Sequence, residues 1–210
     1  MIAIIDYGVC NVGSIKNMLK KIGMEDAQVT GRPEDVESAD HVILPGVGSF
    51  DSGMASLEQS GLAEAVRKYA ESGRPLLGIC LGMQLLGRGS EEGTSKGLSL
   101  VPMECRRFCF GCPGGKDGGP ALKVPHMGWD MVNFTRGSRL LDGIESPQRY
   151  YFVHSYHAVV DEASYELMSC DYGGRFPAAV QKDNIYGCQF HPEKSHQFGM
   201  RLLKNFVEKC

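Results

Sequence analysis

A cysteine between two glycines is the residue of this chain with the clearest chemical potential. Cys80 follows the apolar run 76–79 and has Gly78 and Gly82 two positions away on either side. This is the local pattern of a nucleophile elbow, a sharp turn from strand to helix that lifts a nucleophile above its sheet. A helix N-terminus at that turn favours the thiolate, which is the reactive form of cysteine. The alternative interpretation is a buried structural cysteine.

A base and an acid suited to this thiol lie far downstream. His191 and Glu193 are two positions apart, and in an extended segment such residues point to the same side. Pro192 fixes its own backbone angle between them. The imidazole would deprotonate Cys80 and later protonate the leaving group, while the carboxylate would orient the ring. The three side chains predict a nucleophilic triad.

A glycine-rich stretch follows the strand predicted over residues 41–44. Acyl chemistry needs N–H donors for the developing oxyanion, and the carboxyl end of a parallel strand is where open α/β sheets bind ligands. We therefore predict an oxyanion loop at Gly46, Val47 and Gly48, with the N–H of Leu81 as the second donor. The alternative is an ordinary turn from strand to helix.

The elements that would position these residues follow from the apolar pattern. In the first half, short apolar runs alternate with segments whose apolar residues recur at helical spacing. This pattern predicts an α/β fold with an open, mostly parallel sheet and helices on both faces. The predicted strands are 2–5, 41–44 and 75–79, and the predicted helices are 12–22, 57–71 and 81–86.

The second half of the chain changes character, because strand-like segments follow one another between turn residues. They predict antiparallel or mixed additions to the sheet over 150–155, 165–172, 178–182 and 185–190. An amphipathic helix is predicted over 197–209 and a glycine-rich surface loop over 111–120. A length of 210 residues suits a single domain over residues 1–210.

The overall composition argues against several classes of protein. The formal net charge is -3 and no basic run occurs, which disfavours a nucleic-acid partner. No stretch approaches the ~18 apolar residues of a membrane span, and the N-terminus carries no basic leader. We therefore predict a cytoplasmic protein without a membrane partner, whose eight cysteines are reduced.

Three cysteines raise the separate possibility of a metal site. Cys109 and Cys112 form a Cys-x-x-Cys pair, and Cys105 lies four positions before it. Such a pair is typical of half a zinc site or a redox couple, and two incidental thiols in a loop are the alternative. Because three cysteines are an incomplete ligand set, we predict that the protein binds no metal and no cofactor. A metal site at these three cysteines is the disfavoured alternative.

With these motifs in place, the chain resembles the class I, triad-type glutamine amidotransferases, whose fold is flavodoxin-like. The resemblance rests on the segment 78–84, on the loop 45–48 and on the His-Pro-Glu motif at 191–193. Within that family the chain is similar to the glutaminase subunits of imidazole glycerol phosphate synthase. The stretches that carry this similarity are 6–8 with Asn11, 125–129, 151–156 and 191–195. The resemblance covers essentially the whole chain.

The resemblance implies hydrolysis of glutamine to glutamate and ammonia through a thioester on Cys80. It implies that Gln84, Glu92, Ser155 and Tyr156 lie near the bound glutamine, together with the loop at Gly46.

It also implies a heterodimer with a (β/α)8-barrel cyclase subunit, which uses the ammonia to make imidazole glycerol phosphate and aminoimidazole carboxamide ribotide in histidine biosynthesis. The residues expected at that interface are Asn11, Met127, Trp129, Tyr151 and Lys194, with ordinary packing as the alternative.

The chain departs from its family at three places: Cys10 stands where glycine is usual, Asp130 where asparagine is common, and the segment 105–120 is longer. These departures keep open a paralogous amidotransferase that supplies ammonia for an amino sugar in surface polysaccharide. Two other classes also remain, namely a free-standing Cys–His–Glu hydrolase such as a peptidase-like relative, and a non-enzymatic thiol or metal module.

Overall fold

The computed structural model describes residues 1–110 and 122–210. A nine-stranded sheet of order β2-β1-β3-β4-β11-β10-β9-β6-β7 forms the centre, and β5 pairs with β8 in a second, two-stranded sheet. The strands are β1 (Ile2–Ile5), β2 (Ala27–Thr30), β3 (His41–Gly46), β4 (Leu76–Cys80), β5 (Met103–Arg107), β6 (His126–Phe134), β7 (Gln148–His154), β8 (Tyr156–Val160), β9 (Glu166–Asp171), β10 (Arg175–Lys182) and β11 (Ile185–Cys188). The helices are α1 (Val12–Lys21), α2 (Pro33–Ser38), α3 (Phe50–Gln59), α4 (Leu62–Glu71), α5 (Leu81–Leu85) and α6 (His196–Lys209).

The sheet is mixed, as predicted, and it divides into two parts. Strands β2, β1, β3, β4 and β11 run parallel to one another, and every residue of β1, β4 and β11 is buried. Burial on both faces is why these strands are continuous apolar runs. From β11 outwards, β10, β9, β6 and β7 pair antiparallel. Strand β11 therefore joins the two parts beside the strand that ends in Cys80.

Helices cover both faces of the sheet, and each face has its own apolar core. Ile15, Leu19, Leu202 and Phe206 from α1 and α6 pack on one face, against side chains such as Ile4. On the other face, the core contains the apolar residues of α2, α3, α4 and α5. An α/β architecture needs an apolar core on each face of its sheet, and helices that alternate with parallel strands supply both cores.

The helix predicted over 57–71 is wrong, because the structure has two helices in this region. Helix α3 ends at Gln59 and α4 begins at Leu62. Gly61 between them has a φ of +74°, a left-handed conformation that glycine adopts without steric cost. The apolar periodicity continued across the break and hid it. The strand predicted over 41–44 also extends further, to Gly46.

Several elements are absent from the prediction. They are β2, α2, β5, β6 and β8, which are short or alternate between buried and exposed residues. The glycine-rich loop predicted over 111–120 lies outside the described residues. Within the described residues, no helix is both long and apolar enough to cross a membrane.

Candidate active site

The predicted elbow is formed where β4 ends at Cys80 and α5 begins at Leu81. Cys80 has a φ of +54° and a ψ of -110°, an unusual conformation for a residue with a side chain. A Cβ on Gly82 would lie 1.8 Å from the carbonyl oxygen of Leu44, and one on Gly78 would lie 2.7 Å from the Met83 nitrogen. Both glycines are therefore required by the close packing of α5 against the strands.

The other two members of the predicted triad follow β11, the strand next to β4. The N–H of His191 donates to the Tyr151 carbonyl at 2.9 Å, and a single 3-10 turn over Pro192–Lys194 follows. His191 Nδ1 lies 2.7 Å from Glu193 Oε1, and the two side chains are only 2% and 4% exposed. The parallel pairing of β4 with β11 places this pair beside Cys80, and both Cys80 and His191 line one cavity.

The electrostatics of His191 fit a group that holds a proton beside an anion. Burial lowers the pKa of its imidazole, but interactions with Cys80 and with Glu193 outweigh burial and raise the pKa to about 9. Nε2, on the far side of the ring from Glu193, is buried and has no hydrogen-bond partner within the described residues. A protonated His191 at neutral pH can therefore donate from Nε2 to a leaving group.

The cavity beside Cys80 has a volume of about 360 Å³. All four residues predicted to contact a bound substrate line it, as do three of the four residues of the predicted oxyanion loop. They are Gln84, Glu92, Ser155 and Tyr156, with Val47, Gly48 and Leu81. Glu92 Oε2 also accepts a hydrogen bond from the N–H of Phe50 at 2.7 Å, at the start of α3, where the helix dipole favours a negative group. The structure therefore brings these predicted residues together around one cavity with Cys80 and His191.

In the loop predicted to bind an oxyanion, the N–H of Val47 is already used in a hydrogen bond outside the cavity. Gly46 pairs with Cys80 across β3 and β4, and Gly48 has a φ of +105°. The Val47 N–H donates to the Val9 carbonyl at 3.0 Å, and the Tyr7 hydroxyl donates to the Pro45 carbonyl at 2.8 Å. The turn after β1 thus occupies the donor of Val47. Leu81, as the first residue of α5, keeps an N–H without an intrahelical acceptor.

A buried glutamine that the sequence analysis missed touches the nucleophile. Gln189 is fully buried, and its Nε2 lies 3.8 Å from Cys80 Sγ. Its Oε1 accepts from Gln84 Nε2 at 3.1 Å, and Gln84 Nε2 also donates to the Tyr156 carbonyl at 3.1 Å. Its spacing from His191 could have indicated this contact, because residues two positions apart in an extended segment point to the same side.

Of the five residues predicted at a partner interface, Met127, Trp129 and Tyr151 lie on β6 and β7, in the antiparallel part of the sheet, whereas Asn11 precedes α1 and Lys194 ends the turn after His191. Met127 and Trp129 on β6 are 62% and 41% exposed, and Trp129 is opposite Tyr151 on β7 with ring centroids 6.2 Å apart. Lys194 Nζ is 6.0 Å from the Tyr151 ring centroid. Met131, which the sequence analysis missed, extends this face because it is 47% exposed and follows the same alternation.

A second, small cavity lies on the other side of the predicted oxyanion loop. Asn11 and Lys194 line it together with Val47, His191 and Glu193. These two predicted interface residues therefore reach the back of the triad, whereas Met127 and Trp129 do not line this cavity.

The disfavoured metal option finds no support in the described residues. Cys105 is buried in β5 with a free thiol, and burial raises its pKa to about 12, which disfavours the thiolate that a metal needs. Cys109 is disulfide-bonded, so the expectation that it is reduced is wrong, and Cys112 lies outside the described residues. Within 1–110 and 122–210, no group of three His, Cys, Asp or Glu side chains could hold a metal ion.

Glu193→Gln tests whether the carboxylate holds the proton on His191. Without the anion, Glu193 no longer raises the pKa of the imidazole, while burial still lowers it and Cys80 still raises it, so we expect the pKa to fall from about 9. Because the pKa of His191 is raised in the native state, its interaction with Glu193 contributes its full stabilisation below about pH 6.5, and this stabilisation is lost as the pH rises through about 9. The variant lacks this contribution to the free energy of unfolding. NMR titration of His191 measures the shift. The exposed Glu208→Gln is the control, and an unchanged pKa in Glu193→Gln would contradict the assignment.

The comparisons with known proteins agree with this geometry. Residues 3–210 match the family model described as glutamine amidotransferase class-I, so the chain belongs to the class-I glutamine amidotransferases. A solved structure described as a glutamine amidotransferase covers 99% of this chain and 98% of its own, with a TM-score of 0.73 and 20% identity. The structure of PurLQS from Thermotoga maritima gives a TM-score of 0.69 at 17% identity, covering 98% of this chain and 96% of its own. At these identities the structures show the shared fold.

Sequence relatives define the branch of the family. The imidazole glycerol phosphate synthase subunit HisH 2 of Methanococcus maripaludis is 49% identical over 100% of both chains. The subunit HisH 2 of Pseudomonas aeruginosa is 47% identical over 99% of both, and the subunit HisH of Syntrophotalea carbinolica is 47% identical over 98% of both. Within the class-I glutamine amidotransferases, the chain therefore belongs with the HisH subunits of imidazole glycerol phosphate synthase.

Proposed function

We propose that Cys80, His191 and Glu193 hydrolyse glutamine to glutamate and ammonia. The observation that carries this proposal is a cavity lined both by a thiol at a strand-to-helix elbow and by a histidine whose other ring nitrogen contacts a buried carboxylate. Family membership supports it independently. No cofactor takes part in this chemistry.

The chemistry has two halves that share one base. The Cys80 thiolate attacks the side-chain amide carbon, and a C–S bond forms. Protonated His191 gives its proton to the amide nitrogen, the C–N bond breaks, and ammonia leaves a glutamyl thioester. Water, deprotonated by His191, then attacks the thioester carbon, the C–S bond breaks, and glutamate is released with the thiolate restored. Glu193 orients the ring and stabilises its charged form.

The cavity supplies the contacts that hold glutamine. Glu92 places a negative charge at the wall, which suits the α-ammonium group, while Gln84, Ser155 and Tyr156 offer polar groups. The Leu81 N–H is one oxyanion donor and the Val47 N–H is the second once the loop has turned. Gln189 donates to Cys80 Sγ and so stabilises the thiolate.

We assign the ammonia to a partner rather than to solvent. The relatives are subunits of imidazole glycerol phosphate synthase, and a (β/α)8-barrel cyclase that completes that enzyme in histidine biosynthesis is the proposed partner in a cytoplasmic heterodimer. The apolar face of Met127, Trp129 and Met131 is suited to contact it. Asn11 and Lys194 would lie where ammonia leaves, because their small cavity touches the back of the triad.

The Val47–Val9 hydrogen bond predicts that the partner activates the glutaminase. In the free chain this bond keeps one oxyanion donor away from the cavity, and losing one donor costs about 10²–10³-fold in kcat. A partner that binds the turned loop more tightly shifts the population towards it. We therefore expect the cyclase subunit with its nucleotide substrate to raise glutaminase kcat by about 10²–10³-fold, measured as glutamate release.

Two outcomes of that assay would change the proposal. A free chain as fast as the mixture would remove the coupling while leaving the hydrolase. Absence of stimulation, with Cys80 still readily alkylated by a reactive glutamine analogue, would support the enzyme class and contradict the histidine-pathway partner. High activity on peptides would favour the free-standing hydrolase.

The second candidate function is the supply of ammonia for an amino sugar in surface polysaccharide. Cys10 and Asp130 depart from the usual residues near the proposed partner face, and two of the relatives carry the number 2 in their names. This candidate keeps the same triad and changes the partner. Pairing the chain with a second cyclase-like barrel of its own organism distinguishes the two, because stimulation should follow the correct barrel.

A further inference from the structure

A chain of hydrogen-bonding groups runs inside the protein from Asp130 on β6 to the glutamine cavity. Asp130 Oδ2 lies 3.3 Å from His126 Nε2, and His126 Nδ1 lies 3.1 Å from His154 Nε2. His154 Nδ1 lies 2.8 Å from the carbonyl oxygen of Tyr156. Both histidines are buried, and His154 lines the cavity. Gly128 at a φ of +139° makes β6 irregular, which allows two side chains four positions apart to meet.

Counting protons shows that this chain is one short. Three contacts need three shared protons, and both ends, a carbonyl and a carboxylate, can only accept. Two neutral imidazoles supply two protons. The contact without a proton is that of His126 with Asp130, that between the two rings, or that of His154 with the Tyr156 carbonyl. A carboxylate is the strongest of these acceptors, so Asp130 favours the arrangements in which His126 donates to it, and the remaining two contacts then share a single proton.

The residue at position 130 decides whether this shortage exists. An asparagine there would donate from its amide to His126, and two neutral imidazoles would then satisfy all three contacts. We propose that Asp130, His126 and His154 are positioning residues that hold the ring–ring contact and the Tyr156 carbonyl together only when this hydrogen-bonded chain has bound a third proton. The glutamine cavity of this protein would then respond to pH through Asp130. This inference rests on the proposed function only for its effect on glutamine.

The Tyr156 carbonyl links this chain to the nucleophile. It accepts from Gln84 as well as from His154, and Gln84 contacts Gln189, whose amide lies against Cys80 Sγ. When the His154 contact lacks its proton, one of the two donors to this carbonyl is lost. The wall of the cavity is then held less firmly, so glutamine binds more weakly while the triad itself is unchanged.

The surroundings place the third proton at the end formed by His126 and Asp130. Burial lowers the pKa of His154 to about 3, so that ring stays neutral. Burial also lowers the pKa of His126, and Asp130 opposes this effect, so the proton is lost somewhere below the usual value of about 6.5. Four other titratable groups face this hydrogen-bonded chain: His157 on β8, Cys170 on β9, Tyr172 after β9, and His191 beyond His154. Asp171 lies beside Cys170, and Glu91 and Arg106 lie beside His157.

Long-range ¹H–¹⁵N NMR of the histidine rings tests the proton count directly. In the wild-type chain we expect the ring N–H protons on His126 and His154 to fall from three to two as the pH rises to about 8, with a midpoint below the usual pKa of histidine. Asp130→Asn should show two across this range. Asp171→Asn, which changes a nearby carboxylate that does not contact His126, should titrate like the wild type. Identical titrations in wild type and Asp130→Asn would overturn the proposal.

Glutamine kinetics supply the second readout. The KM ratio of wild type to Asp130→Asn should rise about fivefold between about pH 5 and 8, the effect of one hydrogen bond, with the kcat ratio constant. Taking the ratio cancels the titration of His191, which both proteins share. Parallel KM profiles would overturn the proposal. If neither protein hydrolysed glutamine, the proposed function would fail, whereas the NMR titration would still decide the proton chain.

Discussion

Cys80→Ala will abolish glutamine hydrolysis, with a loss in kcat of at least about 10⁴-fold. The thiol sits at the N-terminus of α5 and faces a cavity that it shares with His191, and no other described cysteine lines that cavity. Without the sulfur no thioester forms, and His191 alone has only water to activate. Glutamate release, measured with the partner subunit present, is the appropriate assay because the free chain already lacks one oxyanion donor.

Cys105→Ala is the matched control for this substitution. Cys105 is equally buried and its thiol is free, but it lies in β5 away from the cavity. We expect the control to keep its kcat and to lose some stability, since a small cavity replaces the sulfur. If Cys80→Ala kept substantial activity while Cys105→Ala lost it, the assignment of the nucleophile would be wrong and the thiol-module alternative would be favoured.

Gly82→Ala will destabilise the fold by about 3–5 kcal/mol. The new Cβ would lie 1.8 Å from the Leu44 carbonyl oxygen and 2.8 Å from the Leu44 carbonyl carbon, and both atoms belong to the central strand β3. A backbone carbonyl in a buried strand cannot rotate away as a flexible side chain can. Helix α5 must therefore move off the sheet, which also displaces Cys80. Urea unfolding followed by circular dichroism measures the change in unfolding free energy.

Gly13→Ala supplies a glycine control within a helix. A Cβ on Gly13 in α1 meets nothing within 4 Å. Alanine has the higher helix propensity, so this variant should be as stable as the wild type or more stable, by up to about 1 kcal/mol. Equal losses of unfolding free energy in the two variants would show that general backbone effects, rather than the close contact with Leu44, limit position 82.

Each part of the predicted triad has a strong local signal in the sequence. Glycines flank Cys80, the His-Pro-Glu motif is compact, and fully buried strands such as β4 appear in the sequence as unbroken apolar runs. Elements that depend on their neighbours were missed. In strand β6 the exposed residues Met127, Trp129 and Met131 alternate with His126, Gly128 and Asp130, so the pattern suggested no core strand.

Hydrogen-bond partners distant in sequence could not be predicted at all. Nothing local indicates that the Val47 N–H bonds to Val9, or that His126 meets Asp130 across an irregular strand. Gln189 shows the same limit, because its contact with Cys80 depends on the pairing of β11 with β4. Tertiary pairing decides such contacts, and a single sequence carries no direct record of it.

The place of β11 in the sheet also governs when this protein can fold during synthesis. Strand β4 ends at Cys80, yet its neighbour in the centre of the sheet is made of residues 185–188, which are synthesised much later. Until those residues leave the ribosome, β4 presents an unpaired apolar edge of the kind that pairs with other chains. The nascent protein is therefore most exposed to aggregation between the synthesis of β4 and that of β11. Chaperone binding to ribosome-stalled chains should fall sharply once the segment carrying His191 has emerged.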